Sequence, residues 1–121
     1  MQFHFLIYFD PKVVFSGSAE ANSVLADTGP HGAALEESGH LIATYPLNLP
    51  QEAVTIAVRT GKTSKTDGPF AETREVIGGF VAIEAADMAE AIQIASEFPH
   101  ARLGHIEIRP AIDFSKPMPK I

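Results

Sequence analysis

Hydrophobic and polar positions alternate at the start of the chain: Phe3, Phe5, Ile7 and Phe9 fall on one side, Gln2, His4, Leu6 and Tyr8 on the other. A period of two with aromatic enrichment predicts a strand over 2–9, with one strongly apolar face and one mixed face. Asp10-Pro11 closes it. Ser16-Gly17-Ser18 supplies N-caps for a helix running to about Ser38, with Gly39 as its stop. Within it Val24, Thr28, His31 and Leu35 share one helical face. Gly29-Pro30 interrupts that pattern. An interior proline deletes a backbone bond and clashes one turn back, at about 3 kcal/mol. A kink is therefore predicted, or two shorter helices with Pro30 opening the second.

Leu41 to Leu47 is a second strand, bounded by Pro46 and Pro50. Ala53 to Arg59 sets Val54, Ile56 and Val58 against Thr55, Ala57 and Arg59, a third. Thr60-Gly61-Lys62 turns the chain, and 63–66 returns as a short hairpin arm. Val76 to Ala85 is apolar on both faces, as expected of a central strand covered on each side. Gly78-Gly79 within it marks a bulge or the close approach of another backbone. Asp87 caps a second helix whose buried stripe is Met88, Ala91, Ile92 and Ala95, and Pro99 ends it. Residues 103–109 alternate Ile106 and Ile108 against His105, Glu107 and Arg109. The remainder, 110–121, carries three prolines and reads as an extended C-terminal arm.

The order β-α-β-β-α-β, with a small extra β element, predicts an α+β, ferredoxin-like split-βαβ sheet with an extra hairpin and both helices on one face. Two helices leave the other face open. With an apolar central strand, that face calls for a partner, so a homodimer with two sheets packed face to face is expected.

Composition narrows the function. The 121 residues make one domain. A formal charge of −6 without any basic run argues against nucleic acid as a partner. Absence of cysteine excludes disulfides, a thiol nucleophile and thiolate metal sites. No stretch approaches the ~20 apolar residues of a membrane span. The N-terminus lacks the basic region and cleavage site of a signal peptide, so a cytoplasmic protein is expected. The five histidines show no metal-binding spacing, and neither a phosphate loop nor a nucleophile elbow is present. No cofactor is expected.

Asp67-Gly68-Pro69 can hold a sharp corner, since Asp bonds its own backbone, Gly takes φ > 0 and Pro fixes φ. The stretch Asp67-Gly68-Pro69-Phe70-Ala71-Glu72-Thr73-Arg74-Glu75 resembles the signature of the DGPF-domain proteins, within the wider YCII-related group. The similarity extends over nearly the whole chain, from the N-terminal strand and the helical His31 to Ala101-Arg102 and Ile106-Glu107-Ile108-Arg109-Pro110. It implies the dimeric α/β-barrel version of the fold. It also implies an acid–base site, because a His–Asp pair, the Asp preceding a proline, has been proposed as the active site of YCII-type members. Here Pro99 matches, but Phe98 precedes it. DGPF-type domains occur alongside extracytoplasmic-function sigma factors, which implies a sensor or accessory role as the alternative.

His31 is accordingly the candidate general base, against the plainer reading of a half-buried histidine satisfied by a backbone carbonyl. Asp67 is the candidate to orient it in place of the missing Asp, against an Asx-turn role. His4, Tyr8, Arg59, His105, Glu107 and Arg109 lie on the mixed strand faces, which alternation turns toward the dimer cleft. Arg59 suits an anionic substrate group, and Glu107 with Arg109 an ion-pair network. Two functions follow: a cofactor-free proton-transfer enzyme, isomerase- or lyase-like, with a His-centred site in the dimer cleft, or a small-ligand-binding module without turnover.

Overall fold

The N-terminal alternation becomes β1 (Gln2–Phe9) of a computed structural model that describes residues 1–120. Phe3, Phe5 and Phe9 turn inward and are buried. Each such ring removed from water contributes about 1.5–3 kcal/mol, which makes β1 the natural centre of the sheet. Its neighbours are β5 (Val76–Glu84) and β6 (Gly104–Pro110), and β2 (Leu41–Pro46) lies outside β5. The order is β2-β5-β1-β6, with every neighbouring pair antiparallel. This is the ferredoxin-like arrangement.

Asp10 caps a single helical turn, α1 (Pro11–Val14), and Ser18 caps the long helix α2 (Ala19–Glu37) by accepting from the Ala21 N–H. Asp87 caps α3 (Met88–Ser96) in the same way, through the Glu90 N–H. Both long helices pack on one face. Leu35 of α2 and Ala91, Ile94 and Ala95 of α3 join the core built on Phe3, Phe5, Val81, Ile83 and Phe98.

Two expectations are corrected. First, α2 is one continuous helix through Pro30 rather than two shorter ones. The proline sits on the exposed side, and capping at Ser18 helps offset the missing bond. Second, the buried stripe of α3 is Ala91, Ile94 and Ala95, while Met88 and Ile92 are exposed. The inward face of α3 shares its core with Phe98 just beyond the helix. The expected extra hairpin is present: β3 (Val54–Arg59) pairs with β4 (Lys62–Asp67) as a separate two-stranded sheet. Its alternation suits a hairpin as well as a sheet strand, because period two identifies a strand without identifying its partner.

The β1–β5 register skips Gly78, so the predicted bulge is present. A side chain at Gly79 would meet the Tyr45 carbonyl oxygen at 2.9 Å. Beyond β6, residues 111–120 form no helix or strand, Ala111 N–H donates to Gln2 O, and Ile121 lies outside the described residues. No helix among the described residues is long and apolar enough to cross a membrane.

Candidate functional site

Four glycines far apart in sequence leave space between α2 and the sheet. Gly29 and Gly32 on the helix, with Gly78 and Gly79 on β5, line a cleft of about 420 Å³. At Gly78 and Gly79 a larger side chain would displace the wall of the cleft. At Gly78 a Cβ would lie 1.8 Å from the Phe9 ring, which therefore lies flat against the strand. Ile7, Phe9, Leu35, Leu41, Val81 and Phe98 make most of the lining apolar. The polar groups that reach it include Thr28, His31, Glu36, Thr44 and His100.

The two histidines set its chemistry. His31 projects from the middle of α2, and its ring packs edge-on against Phe98 with centroids 4.5 Å apart. Burial disfavours the imidazolium and holds its pKa below the usual 6.5, an effect that the charge of Glu97 partly opposes. His100, in the 3₁₀ turn Pro99–Arg102, packs against Phe9 at 5.3 Å and is likewise lowered by burial. Both rings are therefore predominantly neutral near pH 7. A neutral imidazole in an apolar cleft offers a lone pair that accepts a hydrogen bond or takes a proton.

The structure separates the residues that the sequence grouped. His31 lies on the helix side of the sheet, whereas alternation turns His4, Tyr8 and His105 to the other side. There Tyr8 and His105 are register partners, and His105 Nδ1 lies 2.7 Å from Glu75 Oε1. Arg109 donates to Glu107 at 2.6 Å, an ion pair within one chain. Arg59 is not on the sheet at all: it ends β3 beside the hairpin turn and donates to its neighbour Val58 O at 3.0 Å. Asp67 ends β4 with its side chain 89% exposed and 3.6 Å from Lys65. It borders a different cavity from His31, so the expected His31–Asp67 pair is not formed. The turn itself is present, with Gly68 at φ 103° and its N–H donating to Ala53 O at 2.7 Å.

Two residues of the site do not stand out in the sequence. His100 has the spacing of no metal motif, and its one signal is that it directly follows Pro99. Glu97 lacks the rigid turn that draws attention to Asp67, yet it directly precedes Phe98-Pro99, where the resemblance implies a carboxylate before the proline.

A model of the YCII-related domain matches residues 1–115. An uncharacterized protein of Rhizobium meliloti (strain 1021) is 33% identical over 113 residues, covering 91% of each chain. Among solved structures, the chain is similar in fold to TftG of Burkholderia phenoliruptrix AC1100, a 5-chloro-2-hydroxyhydroquinone dehydrochlorinase in complex with 2,5-dihydroxybenzoquinone. That match has a TM-score of 0.55 at 14% identity and covers 95% of this chain and 97% of the other.

Proposed function

The chain belongs to the YCII-related family, and we propose that it is a cofactor-free proton-transfer enzyme, isomerase- or lyase-like, acting on a small apolar or aromatic molecule. The observation that carries this reading is the α2–sheet cleft, mostly apolar and entered by two histidines that burial keeps neutral. His31 is the base. An acidic proton of the bound molecule passes to its ring nitrogen while the electron pair stays on the substrate. TftG, a dehydrochlorinase whose structure holds 2,5-dihydroxybenzoquinone, lends support to a planar oxygenated ring as the substrate class.

A second reading has one observation in its favour. Phe98 occupies the place beside His31 where a carboxylate partner is expected, and an apolar wall suits a site that binds without turnover. One experiment distinguishes the two. 2,5-Dihydroxybenzoquinone, titrated into the ¹⁵N-labelled chain in deuterated buffer, is expected to shift the His31, Phe98 and His100 signals saturably and to exchange its ring hydrogens faster than in buffer. His31→Gln is expected to slow that exchange by about 10²–10⁴-fold, the usual contribution of a positioned base. Saturable binding without accelerated exchange leaves the binding module. No binding at the cleft removes both.

We further propose that the chain acts as a homodimer through the sheet face opposite the helices. Tyr45 and Phe80 stack there with centroids 4.9 Å apart, and Tyr45 is 51% exposed. Val54, Ile56 and Val58 on the hairpin are also more than half exposed. Apolar surface of this extent favours burial against a second copy. Sedimentation is expected to give twice the chain mass and Phe80→Glu to give monomers. A monomeric wild type overturns this proposal.

A further inference from the structure

His31 stands between two cavities. On one side is the apolar cleft. On the other is a smaller, more polar cavity of about 300 Å³, bordered by His31, Ser38, His40, Glu90, Gln93 and Glu97. Two of these side chains are already engaged with each other's surroundings. His40 Nδ1 donates to Glu84 O at 2.8 Å, and Glu90 Oε1 accepts from Ala86 N at 2.9 Å while lying 4.0 Å from His40. Glu97 is placed differently. It is the C-cap of α3, where a carboxylate meets the negative end of the helix dipole, an unfavourable position for its charge. It is also joined directly in sequence to Phe98, whose ring packs on that of His31.

We propose that Glu97 is the positioning residue for His31, holding the side of the ring that faces away from the cleft and taking the role of the carboxylate absent at position 98. This rests on the reading of His31 as the base. When a substrate proton bonds to His31, the imidazolium acquires a positive charge in a site that disfavours it. Glu97 stabilises that charge across the polar cavity, directly or through a water molecule, which finds hydrogen-bond partners in His31, Glu97, Glu90 and Ser38. The proton then leaves the ring through that cavity to bulk water. The charged and titratable groups around His31 are Glu36 on its own helix, Glu90 and Glu97 on α3, His40 after α2 and His100 on the cleft side. Of these, Glu97 is the one whose charge opposes the lowering of the His31 pKa by burial.

The test is an NMR titration of the His31 ring in the wild type, Glu97→Gln, Glu97→Asp and Glu90→Gln, alongside exchange of the 2,5-dihydroxybenzoquinone ring hydrogens. Glu97→Gln is expected to lower the His31 pKa further and to slow exchange about tenfold or more, with binding of the probe unchanged. Glu97→Asp keeps the charge and is expected to recover most of both. Glu97 is exposed, so these variants are expected to fold as the wild type does. A His31 pKa unmoved by Glu97→Gln, or moved more by Glu90→Gln, overturns the proposal. If Glu97→Gln leaves exchange fast while His31→Gln abolishes it, the catalytic reading stands and this assignment falls. If the probe neither binds nor exchanges in the wild type but Glu97→Gln still lowers the pKa, the coupling stands and the catalytic reading falls.

Discussion

Gly104→Ala is expected to lower stability by about 3 kcal/mol or more and the melting temperature by roughly 10 °C. A Cβ at this position would lie 2.1 Å from the Tyr8 carbonyl oxygen, 3.1 Å from its carbon and 3.2 Å from Phe9 Cα. These are backbone atoms of β1, which β5 holds from the other side, so no rotamer change relieves the overlap. Gly104 pairs with Phe9 at the end of the β1–β6 ladder, directly after the turn that carries His100. Relief therefore requires the strands to part beside the cleft. Gly29→Ala is the control: a Cβ there meets nothing within 4 Å, and alanine in a helix is favoured over glycine by about 0.5–1 kcal/mol. Urea unfolding of both variants checks the contrast. A loss below about 1 kcal/mol for Gly104→Ala would mean that β1 gives way and that the sheet end is not fixed as described.

What is legible in the sequence is whatever a local pattern decides. The alternation of Phe3, Phe5, Ile7 and Phe9, the caps at Ser18 and Asp87 and the bulge at Gly78 depend on neighbours within a few residues, and all are present. The β3–β4 hairpin is legible in the same way, because the Thr60-Gly61-Lys62 turn joins two strands adjacent in sequence. The α3 stripe differs from expectation at Ile92 because spacings of three and four both lie on a helical face, and only the position of Phe98 selects Ile94.

The site follows the same division. His31 can be picked out from its helical face, but the cleft beside it exists because Gly29, Gly32, Gly78 and Gly79 come together from two distant segments. Likewise Asp67 attracts attention through the rigidity of its turn, a local property. Proximity to His31, a property of the fold, belongs to Glu97.

Phe98→Asp is expected to cost several kcal/mol at pH 7.5 and distinctly less at pH 5, on the scale of roughly 3–5 kcal/mol for a lost buried phenylalanine. Phe98 is 6% exposed and packs on Phe5 with centroids 5.5 Å apart as well as on His31. A carboxylate in its place adds desolvation. The pH dependence has two opposing parts. In the wild type, the folded pKa values of His31 and His100 lie below the unfolded 6.5, so their contribution is present above 6.5 and is lost as pH falls through the folded values. In Phe98→Asp the new carboxylate beside His31 raises the folded pKa of that ring above its unfolded value. That contribution is full below the unfolded value and is lost as pH rises through the raised one. Acid therefore weakens the wild type while strengthening the attraction between His31 and the introduced carboxylate in the variant, and the stability gap narrows. Urea unfolding at the two pH values, with the His31 titration measured by NMR, checks this. An equal gap at both would mean that position 98 does not govern the charge of His31. A narrowed gap together with a raised His31 pKa would show that a carboxylate at position 98 governs the charge of this base, and that the apolar ring there helps burial to keep it neutral.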